Sequence, residues 1–340
     1  MFNNQNSNNP NTNNFELISI GDATVDVFMT PIESETLCKR DTKECYIAFS
    51  YGEKIPVKNL EFTIGGNAAN NAVGVRRLGV KNSIVLTIGS DTVGNLIKEK
   101  LTEEGVDTTY VIQQPASSSN YSSIINYAGE RTIFTYHAPR SYEFPVALPA
   151  VPWVYLTSMG ESYRPFYNHM VDWLRTHVDV KLAFNPGSWQ LRDTEGMTSI
   201  LQLTHLIFIN REEAEKITNF GDSAGKDRDL LMAVSKFGPK IVIITDGEKG
   251  CLSFDGQKFL KVGILPVDAY ERTGAGDSFG SVCLAALLKG KTLNEALLWG
   301  TINSASVIGY TGAQKGLLKE ADLPIWLKRA ESSGIVVSEF

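Results

Sequence analysis

The chain has 340 residues, a formal net charge of −6 at pH 7 and 43% hydrophobic residues. This length suffices for a large buried core, whereas the acidic balance disfavours a nucleic-acid groove, which needs a basic footprint. The longest apolar runs are shorter than the ~18 residues that a membrane-spanning helix requires. The four cysteines have no C-x-x-C spacing, so we expect reduced thiols and a cytoplasmic location.

The first 14 residues read MFNNQNSNNPNTNN and have almost no apolar side chain to bury. They also lack the basic-then-apolar order of a secretory signal. We therefore predict a disordered Asn-rich leader over residues 1–14 and one α/β domain over residues 15–340.

Six apolar runs rich in β-branched residues predict strands: FELISI, SIVLTI, WVYLT, VKLAF, HLIFI and KIVIIT. Helical patterns lie between several of them, including residues 92–104, 165–178 and 211–218. This alternation predicts a parallel sheet covered by helices on both faces, a three-layer αβα architecture. Ligands gather at the carboxyl ends of such strands. The polar residues at those positions are Asp26, Asn185, Asn210 and Thr245.

Two segments, at about 27–63 and 111–140, do not follow the strand–helix alternation. Both have patches of period-two patterning bounded by turn residues, and Ala128-Gly129-Glu130 is typical of a hairpin turn. We expect these segments to form β-structure apart from the parallel sheet.

Residues 272–280, RTGAGDSFG, lead into the run SVCLAALLKG, which predicts a buried helix. Gly274, Ala275 and Gly276 let backbone N–H groups approach an anion, and a helix N-terminus adds partial positive charge. Asp277 beside that anion is placed to accept a proton from an attacking hydroxyl, which indicates phosphoryl transfer to an alcohol. A glycine turn with an ordinary acidic cap is the alternative, and this segment alone does not separate the two.

A second glycine pair precedes a predicted helix earlier in the chain. Residues 64–80 read IGGNAANNAVGVRRLGV, with apolar residues spaced for one packed face. Asn67, Asn70 and Asn71 occupy its first turns, where apolar side chains would pack better. Amides at such positions are either caps or ligands for hydroxyl groups. Arg76 and Arg77 lie about two turns into this helix, and we expect both to be solvated.

Together, the two glycine segments resemble the two signature motifs of the ribokinase/PfkB family of carbohydrate and nucleoside kinases. The first motif of that family is G-G-x-x-x-N, and the second is D-T-x-G-A-G-D. The resemblance implies an ATP-dependent, magnesium-requiring kinase that phosphorylates a small sugar, with a ribose-like sugar favoured, or a nucleoside. It further implies that the two irregular segments form a lid over the sugar site, which excludes water during transfer. The sequence leaves the oligomeric state open, and a homodimer through the lid is one candidate because an uncovered lid sheet often finds a partner.

The resemblance also assigns roles to individual residues. Those expected to hold the sugar are Asp26, Gly65, Gly66, Asn70 and Asn185. Those expected at the reacting phosphoryl group are the general base Asp277 and the anion-hole amides of Gly274, Ala275 and Gly276. Those expected around ATP are Asn210, Thr245, Gly247, Gly250, Thr273 and Gly312, with Glu213 holding magnesium through bound water.

Several of these residues have a purely local alternative. Asp26 could cap a turn, and Asn210 with Glu213 could form a capping box. Gly247 and Gly250 could serve only the turn into the following strand. In a different class of function, the chain could be a noncatalytic sensor of a sugar or nucleotide, although a sensor has no need of a general base.

Glu271-Arg272 stands where the family usually has Asp-Thr, and that Asp often helps to hold an activating monovalent cation. Glu is one methylene longer than Asp, so the sequence leaves a potassium site open.

The identity of the acceptor is also open. Arg131 and Arg140 are candidates for binding a sugar phosphate. The aromatic residues that could stack on a nucleobase, or pair across strands instead, are Phe49, Tyr51, Tyr121 and Tyr136.

Overall fold

The structure, a computed structural model, describes residues 14–39, 44–127, 130–271 and 273–340. The predicted leader, apart from Asn14, lies outside these ranges. Two residues of the predicted hairpin turn, Ala128 and Gly129, and the motif residue Arg272 also lie outside them. Among the described residues, no helix is long and apolar enough to cross a membrane.

The strands and helices are numbered along the chain. The strands are β1 (Leu17–Gly21), β2 (Thr24–Pro31), β3 (Glu35–Cys38), β4 (Cys45–Ala48), β5 (Val57–Gly65), β6 (Asn82–Gly89), β7 (Val111–Gln114), β8 (Tyr121–Tyr127), β9 (Glu130–Tyr136), β10 (Trp153–Leu156), β11 (Lys181–Phe184), β12 (Thr204–Asn210), β13 (Ile241–Thr245), β14 (Cys251–Phe254), β15 (Phe259–Val262) and β16 (Ser338–Glu339). The α-helices are α1 (Asn67–Arg77), α2 (Thr92–Glu103), α3 (Arg164–Thr176), α4 (Ser188–Leu191), α5 (Thr194–Leu203), α6 (Arg211–Thr218), α7 (Asp227–Ser235), α8 (Ala275–Leu288), α9 (Leu293–Val307) and α10 (Leu323–Ser332).

Ten strands form one large sheet in the order β7-β6-β1-β10-β11-β12-β13-β14-β15-β16. The strands from β7 to β13 in this order are parallel, and the last three are antiparallel. The chain continues to one side of β1 with β6 and to the other side with β10. Such a reversal of strand order leaves a crevice at the carboxyl ends of the strands. The predicted parallel core and its six strands are confirmed.

Helices cover both faces of the large sheet. One face packs against α1, α8, α9 and α10, and the other packs against α3, α5, α6 and α7. The strands are apolar at almost every position because neighbouring residues point to opposite, equally buried faces. In β1, Ile18 and Ile20 contact one helical layer while Leu17 contacts the other.

Four strands form a separate small sheet in the order β5-β2-β8-β9. The pairing of β2 with β8 is parallel, and the other two pairings are antiparallel. Asp26 lies in register with Thr63 of β5 and Ser122 of β8, and Ser122 is paired with Thr135 of β9. We call the face that carries these four residues the inner face. The opposite, outer face includes Val25, Val27 and Ile64, which pack near α2.

The predicted segments for this sheet need one correction. Part of the segment 111–140 is β7, which pairs with β6 in the large sheet rather than with the small sheet. Its residues follow α2 through a short connection, so β7 completes one more strand–helix–strand unit and is placed at the edge of the large sheet. The small sheet also extends slightly beyond the predicted segment 27–63, from Thr24 to Gly65.

The prediction of four reduced cysteines is wrong for two of them. In the hairpin formed by β3 and β4, Cys38 is opposite Cys45, and the two form a disulfide with an S–S distance of 2.04 Å. The spacing of seven residues gave no recognised motif, whereas antiparallel pairing brings the two side chains together. Cys251 and Cys283 are free thiols in the core, as expected, and burial raises the pKa of each.

Candidate active site

The two glycines before α1 allow three segments to meet at the carboxyl edge of the large sheet. Gly66, the N-cap of α1, has φ 88°, and a Cβ atom there would lie 2.6 Å from Ala23 Cα. A Cβ atom on Gly65 would overlap the Asp26 carboxylate. Only glycine therefore lets β5 turn into α1 beside both β1 and the start of β2.

Asn70 and Asp277, which are far apart in sequence, meet through a hydrogen bond. Asn70 Nδ2 donates to Asp277 Oδ2 at 2.9 Å, which joins the first turn of α1 to the first turn of α8. Asn70 Oδ1 accepts a hydrogen bond from Gln314 Nε2 at 3.0 Å. Both amide residues are buried, so Gln314 fixes which end of the Asn70 amide faces Asp277.

Gln314 is a residue that the sequence did not single out. Its only signal was its position two residues after Gly312, which the resemblance assigns to the ATP site. The structure also corrects the interpretation of Arg77, which is not solvated. Arg77 pairs with Glu104 and donates to the backbone carbonyls of Gln314 and Leu317, and so holds this turn against α1.

The environment of Asp277 suits a base that works near neutral pH. Loss of hydration raises the pKa of Asp277 to about 6, against the lowering effect of the hydrogen bond from Asn70. As a whole residue, Asp277 nevertheless remains partly accessible to solvent. A carboxylate of this kind is ionised at pH 7 and is a stronger base than an ordinary Asp.

The N-terminus of α8 presents backbone N–H groups beside Asp277. Its N-cap, Gly274, has φ 74°, and among the described residues no side chain caps this end of the helix. A Cβ atom on Gly274 would overlap Ala313, whereas one on Gly276 would meet no atom within 4 Å. Gly276 thus leaves open space in front of the first turn, where an anion can approach the amides of Ala275, Gly276 and Asp277.

Asp26 lies on the inner face of the small sheet, next to Gly65. Burial raises its pKa to about 6, the Ser122 hydroxyl lowers it by hydrogen bonding, and the negative charge of Glu271 raises it further. Asp26 and Asp277 therefore lie on either side of the α1 N-terminus, Asp26 against Gly65 and Asp277 against Asn70. Two carboxylates facing one crevice can accept hydrogen bonds from a polyol.

The other asparagines of α1 have separate roles. Asn67 Nδ2 donates to Asn185 Oδ1 at 3.2 Å, and Asn185 Nδ2 donates to the Phe208 carbonyl at 2.8 Å. Asn185 thus connects the end of β11 to both β12 and α1. Asn71 points into the core, where it accepts a hydrogen bond from Ser19.

On the other side of the crevice, Asn210 and Glu213 form the capping box of α6. Glu213 Oε2 accepts from the Asn210 N–H at 2.8 Å, and Asn210 Oδ1 accepts from the Glu213 N–H at 2.9 Å. Burial and the nearby charges of Asp277 and Glu212 raise the pKa of Glu213. The local interpretation of this pair is confirmed, yet the influence of Asp277 also puts Glu213 within electrostatic range of the proposed base.

Thr245 ends β13 directly beside Asn210, since the two residues are partners in the parallel pairing of β12 and β13. The following turn contains Gly247 with φ 52° and Gly250 with φ 89°. A Cβ atom on Gly250 would overlap the Val262 carbonyl, whereas Gly247 faces open space. The hairpin therefore requires glycine at 250 on steric grounds, and at 247 only the backbone conformation favours it.

Gly312 lies against the small sheet. Its N–H donates to Glu271 Oε2 at 2.9 Å, and a Cβ atom there would come within 3.1 Å of Thr63 Oγ1 and 3.4 Å of Phe28. The hydroxyl of Thr273 is buried and has no hydrogen-bond partner among the described residues.

The two basic candidates for an acceptor phosphate are both engaged. Arg131 Nη1 lies 3.5 Å from Glu271 Oε1. Arg140 is 7% exposed and donates through Nη2 to the Ser118 carbonyl, whereas its Nε and Nη1 have no hydrogen-bond partner among the described residues. Its charge acts on buried Asp22, whose pKa is about 6 because burial outweighs the effects of Tyr142 and Arg140.

The aromatic candidates do not line the inner face. Tyr121 and Tyr136 are partners across β8 and β9, and they alternate with the inner-face residues Ser122 and Thr135. They therefore belong to the outer face. Phe49 and Tyr51 precede β5, and the Tyr51 side chain is fully exposed. The cross-strand interpretation is confirmed for Tyr121 and Tyr136.

Comparison with known proteins identifies the family. The profile of the pfkB family carbohydrate kinases matches residues 34–320. A ribokinase of Haemophilus influenzae is 29% identical over 282 residues, which cover 78% of this chain and 88% of that protein. An ATP-dependent 6-phosphofructokinase of Thermoanaerobacterium thermosaccharolyticum is 27% identical over 281 residues, which cover 78% and 85%.

The fold matches solved structures along almost its whole length. The structure of Arabidopsis thaliana ribokinase complexed with ribose and ATP superimposes with a TM-score of 0.72 at 21% identity, covering 92% of this chain and 98% of that one. The three-layer core and the small sheet are thus those of the ribokinase fold. With the family profile matching most of its length, the chain belongs to the pfkB family of carbohydrate kinases, phosphotransferases that use an alcohol group as acceptor.

Proposed function

We propose that this protein transfers the γ-phosphoryl group of ATP to a hydroxyl of a small neutral sugar, with Asp277 as the general base. The observation that carries the proposal is the hydrogen bond from Asn70 to Asp277 beside the uncapped N-terminus of α8. It joins α1, the helix of the first motif, to α8, the helix of the second motif, at the end of α8 where an anion can bind.

The acceptor sugar would lie between the inner face of the small sheet and α1. Asp26 and Asn70 would bind its hydroxyls, while Gly65 and Gly66 leave room for close approach. Asn67 adds a further amide at this position, and Asn185 would act mainly by orienting Asn67. Asp277 would then remove the proton of the attacking hydroxyl, and the amides of Gly274, Ala275 and Gly276 would stabilise the charge on the transferred group.

The nucleotide would lie across the ends of β12 and β13, near Asn210, Thr245 and the turn at Gly247 and Gly250. The pairing of Asn210 with Thr245 supports this arrangement. Thr273 and Gly312 flank the second motif. The buried, unpartnered hydroxyl of Thr273 supports a role in binding a phosphate oxygen, whereas the contacts of Gly312 favour the acceptor side.

The residues fit a magnesium ion near Glu213. Its raised pKa reflects burial together with the negative charges of Asp277 and Glu212, a surplus that a divalent cation would relieve. Magnesium supplies positive charge to the phosphates when it is bound. Glu213 would hold it through water, because its Oε2 is already occupied by the Asn210 N–H.

A neutral acceptor is favoured over a sugar phosphate. Among the described residues, Arg131 forms an ion pair with Glu271, and the charge of Arg140 already acts on the buried acid Asp22. A neutral sugar is also favoured over a nucleoside, since two of the aromatic candidates for stacking on a base, Tyr121 and Tyr136, are on the outer face of the small sheet and not on the face of Asp26.

The outer face supports a homodimer as a further part of the proposal. Leu60, Phe62, Phe134 and Tyr136 expose half or more of their surface, an unusual cluster for a monomer. In the variant Phe62→Ser, the molar mass measured by light scattering should fall from that of a dimer to that of a monomer. An unchanged mass would contradict this face as the interface.

The cytoplasmic location stays a prediction.

The test of function is an assay of ATP consumption in which the ADP that forms is measured. The acceptors to be tried are ribose, fructose, fructose 6-phosphate, adenosine, cytidine and inosine. We expect turnover with one neutral sugar. Turnover with only fructose 6-phosphate or only a nucleoside would overturn the assigned acceptor class. Tight binding of one compound without turnover would favour a noncatalytic sensor instead.

A further inference from the structure

Glu271 is a buried acid at the junction of the small sheet and the second motif. Its side chain is about 6% exposed. Oε2 accepts the Gly312 N–H at 2.9 Å, whereas Oε1 has no hydrogen-bond partner among the described residues. A carboxylate removed from water requires compensation by a positive charge or by further hydrogen bonds.

Among the described residues, the ion pair of Glu271 Oε1 is made with a residue of the small sheet. Arg131 is on β9, two positions along from Ile133 and four from Thr135, and therefore on the inner face. Its Nη1 lies 3.5 Å from Glu271 Oε1, and about a third of its side chain is exposed. The charge of a strand in the small sheet thus neutralises an acid of the catalytic segment.

A monovalent cation does not fit beside Glu271 in this arrangement. The family resemblance implies such an ion at this position, but one carboxylate oxygen is bound to Gly312 and the other faces a guanidinium. A cation at Oε1 would be repelled by Arg131 at short range in a poorly hydrated site. The extra methylene of Glu271, relative to Asp, extends its carboxylate towards the small sheet.

Glu271 is in a position to influence both parts of the proposed site. It holds Gly312, and the next residue, Ala313, packs against Gly274 at the N-terminus of α8. Its charge also acts on Asp26. Any change in the charge balance at Glu271 should therefore reach the anion site and the sugar-binding carboxylate together.

We propose that Arg131 is a positioning residue that supplies, from the small sheet, the positive charge which a monovalent cation would otherwise provide at Glu271. The proposal rests on the proposed kinase function. Its consequences are a kinase that is independent of potassium, and an anion site that is fully ordered only when the small sheet is in contact with the large one.

A second ion pair between the small sheet and the rest of the molecule provides a matched control. Glu61 of β5, also on the inner face, pairs with Lys315 at 3.0 Å, and both side chains are substantially exposed. Lys315→Met removes one charged contact of the small sheet without altering the charge at Glu271. The effect of this variant on kcat shows how much is caused by losing any one ion pair between the small sheet and the rest of the molecule.

The first experiment measures kcat and KM with potassium chloride and with tetramethylammonium chloride at equal ionic strength. Wild type and Lys315→Met should give the same kcat in both salts. Arg131→Ala should lower kcat roughly ten- to hundredfold in tetramethylammonium, since small misplacements of reacting groups have effects of this size. Potassium or methylguanidinium should restore much of the loss. Strong potassium activation of the wild type, or an Arg131→Ala loss that neither ion restores, would overturn the proposal.

The second experiment requires no substrate and so separates this proposal from the kinase function. The thermal unfolding midpoint is followed as potassium replaces tetramethylammonium. The midpoint of Arg131→Ala should rise with potassium, while those of the wild type and of the double variant Arg131→Ala/Glu271→Gln should not. Equal responses in all three proteins would show that no cation site is uncovered at Glu271, and the proposal would be wrong even if the enzyme phosphorylates a sugar.

Discussion

The two sides of the crevice are built in different ways. On the side proposed to bind ATP, called the nucleotide side below, Asn210 and Glu213 cap their own helix, and Gly250 closes its own hairpin, so most contacts join residues that are close in sequence. On the side proposed to bind the sugar, called the acceptor side below, the Asn70 amide joins Asp277 and Gln314 over separations of 207 and 244 residues. Local structure can thus maintain the nucleotide side, whereas the acceptor side exists only when the whole domain is folded.

The strongest test of the acceptor side is Asp277→Asn. We expect kcat to fall by roughly 10²–10⁴, the usual contribution of a general base, while the affinity for ATP stays near normal because the backbone amides remain. Steady-state kinetics and calorimetric titration with a nonhydrolysable ATP analogue measure the two quantities. Asp268→Asn, at an exposed acid of the same segment, serves as the control. Undiminished turnover in Asp277→Asn would remove the base assignment.

The same variant should also change stability. A raised carboxyl pKa means that the ionised form is unfavourable in the folded state. The free energy of unfolding of the wild type is therefore lowered above about pH 6, and this loss disappears as pH falls towards 4. Asp277→Asn should therefore raise the free energy of unfolding at pH 8 by roughly 1–3 kcal/mol. The gain should shrink in acid. Chemical denaturation at the two pH values measures it, and a loss of stability at pH 8 would contradict the desolvation of Asp277.

A smaller effect is expected when the hydrogen bond to the base is removed. In a plot of kcat/KM against pH, the wild type should lose activity in acid with a midpoint near pH 6, which we call the acid limb. Asp277 must be ionised to accept a proton. Asn70→Ala removes a bond that lowers this pKa, so the limb should move to higher pH and kcat should fall roughly ten- to hundredfold. Gln314→Ala should shift the limb in the same direction by less. A limb that stays in place in Asn70→Ala would contradict the contact.

On the nucleotide side, Glu213→Gln separates metal binding from helix capping. Glutamine can still accept the Asn210 N–H, and the buried charge is removed, so stability at neutral pH should not fall. The loss of charge should raise the magnesium concentration required for half-maximal rate by roughly tenfold. Glu212→Gln, at the exposed neighbouring acid, controls for a general change of charge. If the two variants need the same magnesium concentration, the role of Glu213 is only that of a cap.

The smallest effect concerns the hairpin glycines. Gly250→Ala should cost roughly 1–3 kcal/mol of stability and a few-fold in the KM for ATP, since its Cβ atom overlaps the Val262 carbonyl. Gly247→Ala meets no neighbouring atom and should cost less on both measures. Thermal unfolding and ATP titration rank the two variants. A reversed order would show that Gly247, not Gly250, sets the conformation of the loop.

The comparison of the two sides also explains what could be predicted from sequence. The six strands, the helix starts and the capping box depend on local patterns, and all appear where the sequence indicated. The hydrogen bond from Gln314 to Asn70 and the bonds from Arg77 to the turn at Gln314 escaped prediction because the bonded residues are more than 200 positions apart and no pattern marks such pairs. The Arg131–Glu271 ion pair escaped prediction for a similar reason, because it joins a strand of the small sheet to the segment before α8, which is far away in the sequence.

The disulfide of the β3–β4 hairpin gives the molecule a selective attachment point. Its two sulfurs are on an exposed ribbon that leads into the small sheet, whereas Cys251 and Cys283 are sealed in the core. After mild reduction, a maleimide dye should label this ribbon alone. Fluorescence from that single location would then follow the movement of the ribbon in real time as sugar or nucleotide is added.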